Sequence, residues 1–144
     1  MDAVPEPAHY RLDDQIGHLL RRVYQRAAAN LASRLEPHGL TPVQYAVLAR
    51  LAETGPMSQN RLGRLVEMEQ SNIHGVALRL ARRGLIRRSR DPDDRRLTLL
   101  VLTAEGRRLV DALIPISTAA SAATLAILAP DERAALIGLL RRLL

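Results

Sequence analysis

Two β-prone runs in an otherwise helical pattern set the tightest limit on how this chain can fold. Leu85-Ile86-Arg87-Arg88-Ser89 and Leu97-Thr98-Leu99-Leu100-Val101-Leu102 flank the polar loop Arg90-Asp91-Pro92-Asp93-Asp94-Arg95-Arg96. A turn-rich loop between two such runs predicts a hairpin. Immediately upstream lie two short helical segments separated by a break near Glu67 to Glu69. Ser58 opens the first, with Leu62, Leu65 and Val66 apolar; Ile73, Val76, Ala77 and Leu80 line the second, which Gly84 stops. Two short helices joined by a tight turn, the second the longer, form the helix-turn-helix pattern, and the hairpin then projects as a wing beside the second helix.

Longer helices flank this unit. Leu12, Ile16, Leu19, Val23, Ala27 and Leu31 recur at steps of three and four, predicting one long amphipathic helix that Pro37-His38-Gly39 ends. Thr41, Pro42 and Gln44 then make a capping box with proline at the first helical position, and Val47, Leu48 and Leu51 face inward before Gly55-Pro56. After the hairpin, Thr103 caps a helix with Glu105 near its start, lined by Leu109, Ala112, Leu113 and Ile116 and expected to kink at Pro115. A last helix from about Pro130 has Asp131 and Glu132 in its first turn, Arg141 and Arg142 in its last, and a stripe of Leu136, Leu140 and Leu143.

The predicted fold class is mainly α with a small β-hairpin wing: a winged helix-turn-helix with N- and C-terminal dimerisation helices. Residues 1–144 form a single domain, with dimerisation helices at about 10–36 and 104–144 and the winged lobe at about 41–103. The terminal helices are apolar on one face yet remote from the central core, which invites pairing with a second copy as a homodimer.

Composition narrows the chemistry. At 144 residues the chain buries a core without metals or crosslinks, and with no cysteine it has no disulfide framework, thiolate nucleophile or cysteine zinc site. Three tyrosines are its only aromatics, which disfavours a base-stacking surface for single strands. His9, His18, His38 and His74 lie in separate elements, so no metal site is expected. No Gly-rich phosphate loop, Gly-x-Ser-x-Gly or His-Glu-x-x-His is present; no catalytic residue, enzyme activity or cofactor is expected. Ala112 to Pro130 is uncharged but holds Pro115, Ser117, Thr118, Ser121 and Thr124, so it reads as a tightly packed small-residue helix rather than a membrane span. The acidic, proline-containing start reverses a signal peptide's order, and a cytoplasmic location without membrane contact is expected.

Charge location says more than its total. The formal net charge is +6, every basic residue is arginine, and Ser58 to Arg96 holds ten arginines against five acids. On a random basic helix such charges are solvated faces. Here Arg79, Arg82 and Arg83 bunch on the last turn of the second helix, and Arg87, Arg88, Arg90, Arg95 and Arg96 run along the wing, which suits a polyanionic partner.

These residues resemble the MarR family of bacterial winged helix-turn-helix regulators. The family's Asp-x-Arg, five residues, Leu-Thr appears as Asp94-Arg95-Arg96, then Leu97 to Val101, then Leu102-Thr103. Arg83-Gly84-Leu85-Ile86 and Arg90-Asp91-Pro92-Asp93 are also similar to members, and the likeness runs from about Leu12 to Leu144.

The resemblance implies a ligand-responsive, sequence-specific regulator, a homodimer that binds double-stranded DNA at a pseudo-palindromic operator. Each recognition helix would enter a major groove, and Arg96 would reach the flanking minor groove. Arg90 and Arg95 would contact phosphates, and Asp94 would support the wing through an ion pair. Gln70, Ser71, Asn72, His74 and Gly75 fall near the end of the recognition helix that faces base edges; Asn72 or Gln70 suits adenine and His74 guanine. Gly75 is either a point of close approach or a neutral choice, and Arg79 either a phosphate contact or an internal partner. Ser58 and Gln59 open the preceding helix, where N–H groups can hold a phosphate.

Family members also take a small molecule between the dimer helices and the DNA lobe. Tyr10, Arg11, His18, Arg22, Arg26 and Tyr45 are the ligand candidates, since arginine beside tyrosine suits a carboxylate on a ring; Tyr45 as core filler is the competing assignment. The expected function is a repressor released by a small anionic molecule, an aromatic acid or thioester. The alternative is a winged-helix protein-interaction module that does not bind DNA.

Overall fold

A computed structural model describes residues 9–67 and 70–144, without the side chains of Gln70 and Ser71. A 3-10 turn at Leu12–Asp14 precedes α1 (Ile16–Leu35), so the first helix begins a turn later than its apolar pattern suggests. A second 3-10 turn, Glu36–His38, closes it. Then come α2 (Pro42–Thr54), β1 (Met57–Ser58), α3 (Gln59–Leu65), α4 (Gln70–Arg82), β2 (Ile86–Arg90), β3 (Thr98–Leu102), α5 (Ala104–Thr124) and α6 (Pro130–Arg142).

Local chemistry explains the boundaries. Thr41 Oγ1 accepts from the Gln44 N–H while Gln44 Oε1 accepts from the Thr41 N–H, so α2 opens on the reciprocal box. Ser58 and Thr103 cap α3 and α5, accepting from the N–H groups of Arg61 and Gly106. Glu67 takes a left-handed conformation at φ 54° in the turn between α3 and α4.

The sheet has three antiparallel strands in the order β1-β3-β2, one more than the expected hairpin. β2 pairs with β3 from Ile86↔Leu102 to Arg90↔Thr98, and β1 adds Met57↔Leu100 and Ser58↔Leu99. A strand this short leaves no alternation in the sequence, because its pairing is decided by the chain entering α3 beside the wing.

Leu48, Leu51, Leu62, Ile73, Leu80 and Leu100 are fully buried, so α2, α3, α4 and the sheet share one core. Val110 and Leu113 of α5 join it, while Ala112, expected inside, faces out. Gly106 is buried where α5 crosses the chain at Leu85: a methyl group there would collide with the Leu85 carbonyl oxygen and the Leu102 side chain. α5 runs without a break through Pro115 and packs along α1, where Asn30 Nδ2 donates to Thr124 Oγ1 at 2.9 Å. No helix among the described residues is long and apolar enough to cross a membrane.

Candidate nucleic-acid interface

The interface is built on two projecting elements held by the common core. α4 buries Ile73, Val76, Ala77 and Leu80, and this turns Asn72, His74, Leu78, Arg79 and Arg82 outward, with Gly75 half-buried. The wing projects beside it, anchored by Leu100 on β3.

Inside the wing loop the acidic residues act as structural acceptors. Asp91 Oδ1 accepts from the Asp93 N–H at 2.8 Å. Asp94 Oδ1 accepts from both the main-chain N–H and the Nε–H of Arg96 at 3.1 Å, and Asp94 Oδ2 takes a longer contact from Nη2 at 3.4 Å. These bonds favour the ionised carboxylate, so the Arg96 guanidinium, and then its main-chain N–H, hold the Asp94 carboxyl below its usual range. The Arg96 side chain nonetheless remains 91% exposed. It is oriented by one contact while its remaining donors face solvent. Arg90 and Arg95 are exposed beside it.

The other sequence candidates divide. Ser58 sits at the start of α3, its hydroxyl oxygen engaged by the Arg61 N–H. Gln59 accepts from Arg88 Nη2 at 3.2 Å, which joins α3 to β2. Arg79 folds back so that Nη1 would lie 3.7 Å from a methyl group at Gly75, an ordinary contact. Gln70 and Ser71 are at the start of α4, and their side chains lie outside the described set.

A positive wing beside an outward-facing helix, both on one closed core, is the geometry of a duplex-reading lobe. The model of the MarR family matches residues 40–98, from the start of α2 to the beginning of β3. The HTH-type transcriptional repressor NicR of Pseudomonas putida is 37% identical over 135 residues, spanning 94% of this chain and 85% of NicR. The chain belongs to the MarR family.

Solved structures agree with a MarR assignment over nearly the whole length. A probable transcriptional regulator from Pseudomonas aeruginosa is 48% identical with a TM-score of 0.85, over 93% of this chain and 100% of that one. BpsR of Bordetella bronchiseptica is 37% identical with a TM-score of 0.86, over 93% and 96% of the two chains; its DNA binding is regulated by 6-hydroxynicotinic acid. MarR-family regulators bind DNA, act as dimers and respond to small molecules. This chain is therefore a DNA-binding transcriptional regulator, a reading favoured over the interaction module.

The ligand candidates do not meet in one place. His18 Nε2 and Arg22 Nη1 lie 3.6 Å and 3.8 Å from the same oxygen, Asp13 Oδ1, while Arg11 faces Asp14 at 3.8 Å. Tyr45 packs against the core, and Tyr10 is exposed. A separate recess of about 520 Å³ opens between α1, α2, α5 and α6. Its walls include Tyr24, Ala27, Val43, Ala120 and Ile137, with Ser117, Ser121 and Thr124 as polar edges. The sequence reading missed this recess because its lining comes from four helices and is mostly alanine, valine and leucine, indistinguishable from core.

Proposed function

We propose that this MarR-family chain is a repressor that occupies a pseudo-palindromic operator as a homodimer and leaves it when a small anionic aromatic molecule binds. The observation that carries the reading is the exposed arginine rim: Arg79 and Arg82 on α4, and Arg90, Arg95 and Arg96 on the wing. Arginine forks on rigid elements suit phosphate and guanine, and a polyanion gains from each counterion they release.

In this proposal α4 lies in the major groove with Gln70, Ser71, Asn72, His74 and Gly75 nearest the base edges. Asn72 or Gln70 pairs with adenine, and His74 donates to guanine. Arg96 enters the minor groove, where a narrow A·T tract concentrates negative potential, and Asp94 fixes its direction. Arg79, Arg90, Arg95 and the start of α3 at Ser58 and Gln59 meet phosphates. Gly75 leaves room for the helix to approach the duplex; a methyl group there would meet only the Arg79 guanidinium, at 3.7 Å. The protein acts in the cytoplasm, and no catalytic step is assigned to it.

His18 and Arg22 converge on the Asp13 carboxylate, which supports a carboxylate effector taking over those donors. Tyr10, Arg11, Arg26 and Tyr45 are the remaining candidate contacts; none of the six candidates lines the apolar recess, which by itself suits a ring. BpsR's 6-hydroxynicotinic acid is one molecule of this class. Such an effector releases DNA only by the difference in its affinity for the two dimer arrangements, about 1–3 kcal/mol, or roughly 5–150-fold.

Selecting duplexes from a randomised library with the purified protein tests the reading. The expected product is a two-half-site sequence with centres about one helical turn apart, bound more weakly as salt rises. Arg96→Ala is expected to lower affinity for it by about ten- to a hundredfold without changing dimer mass. Failure to enrich any duplex overturns the proposal.

A further inference from the structure

The last turn of α4 points at the corner that joins α1 to α2. Arg83, just past that turn, donates from Nη1 to the Gly39 carbonyl oxygen at 2.7 Å and from Nη2 to the His38 carbonyl oxygen at 3.1 Å. The partners are 44 and 45 residues away in sequence. Gly39 is left-handed at φ 67°, which presents successive carbonyls to one side; a methyl group in its place would lie 3.6 Å from Arg83 Nη1. These carbonyls lie at the C-terminal end of the 3-10 turn that extends α1, the negative end of that helix. A planar guanidinium meets both acceptors at once, and its positive charge strengthens both bonds.

We propose that Arg83 is a positioning residue for DNA reading rather than a phosphate contact. It ties the C-terminal end of the recognition helix to the end of the dimerisation helix, so the separation of the two α4 helices in a dimer is set by α1. The inference rests on the DNA-binding reading above. Sequence alone groups Arg83 with Arg79 and Arg82 as duplex-facing charge, but its fork is taken up by two main-chain carbonyls at an exposed corner. A movement of α1 thus reaches α4 through a side-chain to main-chain clamp that one substitution removes without touching any buried apolar residue.

The test measures binding of the selected duplex and of a scrambled duplex across a salt series, for wild type, Arg83→Ala and Arg83→Lys. Arg83→Ala is expected to weaken the selected duplex by about five- to tenfold and to leave the scrambled duplex within about twofold. The slope of log K against log salt stays at the wild-type value, because no phosphate contact is lost. Arg83→Lys keeps the charge but not the fork, and is expected to recover less than half of the logarithmic loss. Dimer mass and the thermal midpoint of each variant exclude loss of folded protein as the cause. The proposal is overturned if Arg83→Ala weakens both duplexes alike with a slope shallower by about one, if lysine restores full affinity, or if selected-duplex affinity is unchanged. A wild-type protein that binds no duplex removes the DNA-binding reading instead.

Discussion

The winged lobe and the terminal helices solve the problem of burying apolar surface in opposite ways. Around α2, α3, α4 and the sheet, large aliphatic side chains are sealed from solvent and the arginines are left outside. On α1 and α6, large apolar side chains on and beside the expected stripes stay outside, although Leu31, Leu136 and Leu140 are half-buried. Ile16 is 63% exposed, Tyr24 68%, Leu139 55% and Leu143 69%. One lobe completes its core within a single chain; the other, in the arrangement proposed here, is completed by a second copy. A self-contained lobe presents a surface of fixed shape, while a lobe that shares its core with a partner couples shape to assembly.

The largest expected effect comes from attacking the shared core. Ile16→Glu combined with Leu139→Glu places carboxylates on the apolar faces of both terminal helices, and should yield a monomer at micromolar concentration by sedimentation. Affinity for a two-half-site duplex should drop by at least about a hundredfold as the second contact ceases to be intramolecular. A dimer that survives both substitutions would erase the contrast between the lobes.

A smaller effect tests the surface of the closed lobe. Gly75→Ala should raise Tm by about 2–4 °C, because alanine gains about 1 kcal/mol in a helix interior and meets only an ordinary contact with Arg79. The same change should weaken DNA binding by about tenfold if the helix lies close to the duplex at this point. Stabilisation without loss of affinity would make Gly75 a neutral choice.

The smallest effect is in pH dependence. The lowered Asp94 carboxyl gives a stabilisation that is complete above its unfolded-state value and is lost only as pH falls through the lowered folded-state value. The wing contact should therefore be constant across neutral pH. Carboxyl NMR should show Asp94 titrating upward of its wild-type midpoint in Arg96→Ala; an unmoved midpoint would deny that this guanidinium holds the loop.

Much of the winged lobe is legible in the sequence because its elements carry their own punctuation. Thr41 with Gln44, Ser58 and Thr103 act as the caps their types and spacing suggest, and the buried residues of α4 fall on the predicted stripe. What sequence does not reveal depends on pairing at a distance. β1 is defined by β3, 41 to 43 residues later in the chain at Leu99 and Leu100, and Gly106 by the carbonyl of Leu85. Among the site residues, arginine identity alone does not separate those facing solvent, such as Arg82, from those turned onto main-chain carbonyls. Arg83 caps the α1–α2 corner, Arg107 Nη1 reaches the Ala52 carbonyl at 3.3 Å, and Arg133 Nε reaches that of Leu128 at 2.8 Å. Tyr45 reads from sequence as either core filler or a ligand contact, and the structure packs it against the core.

Thr103 has a consequence beyond capping. Its hydroxyl donates toward the carbonyls of Gly84 and Leu85 at 2.7 Å and 3.1 Å while accepting from the Gly106 N–H at 3.0 Å. The last residue before the long helix is thereby knotted to the first residues of the wing. A rotation of α5 about its own axis would pull on these bonds, so the start of the wing is tethered to the start of the helix.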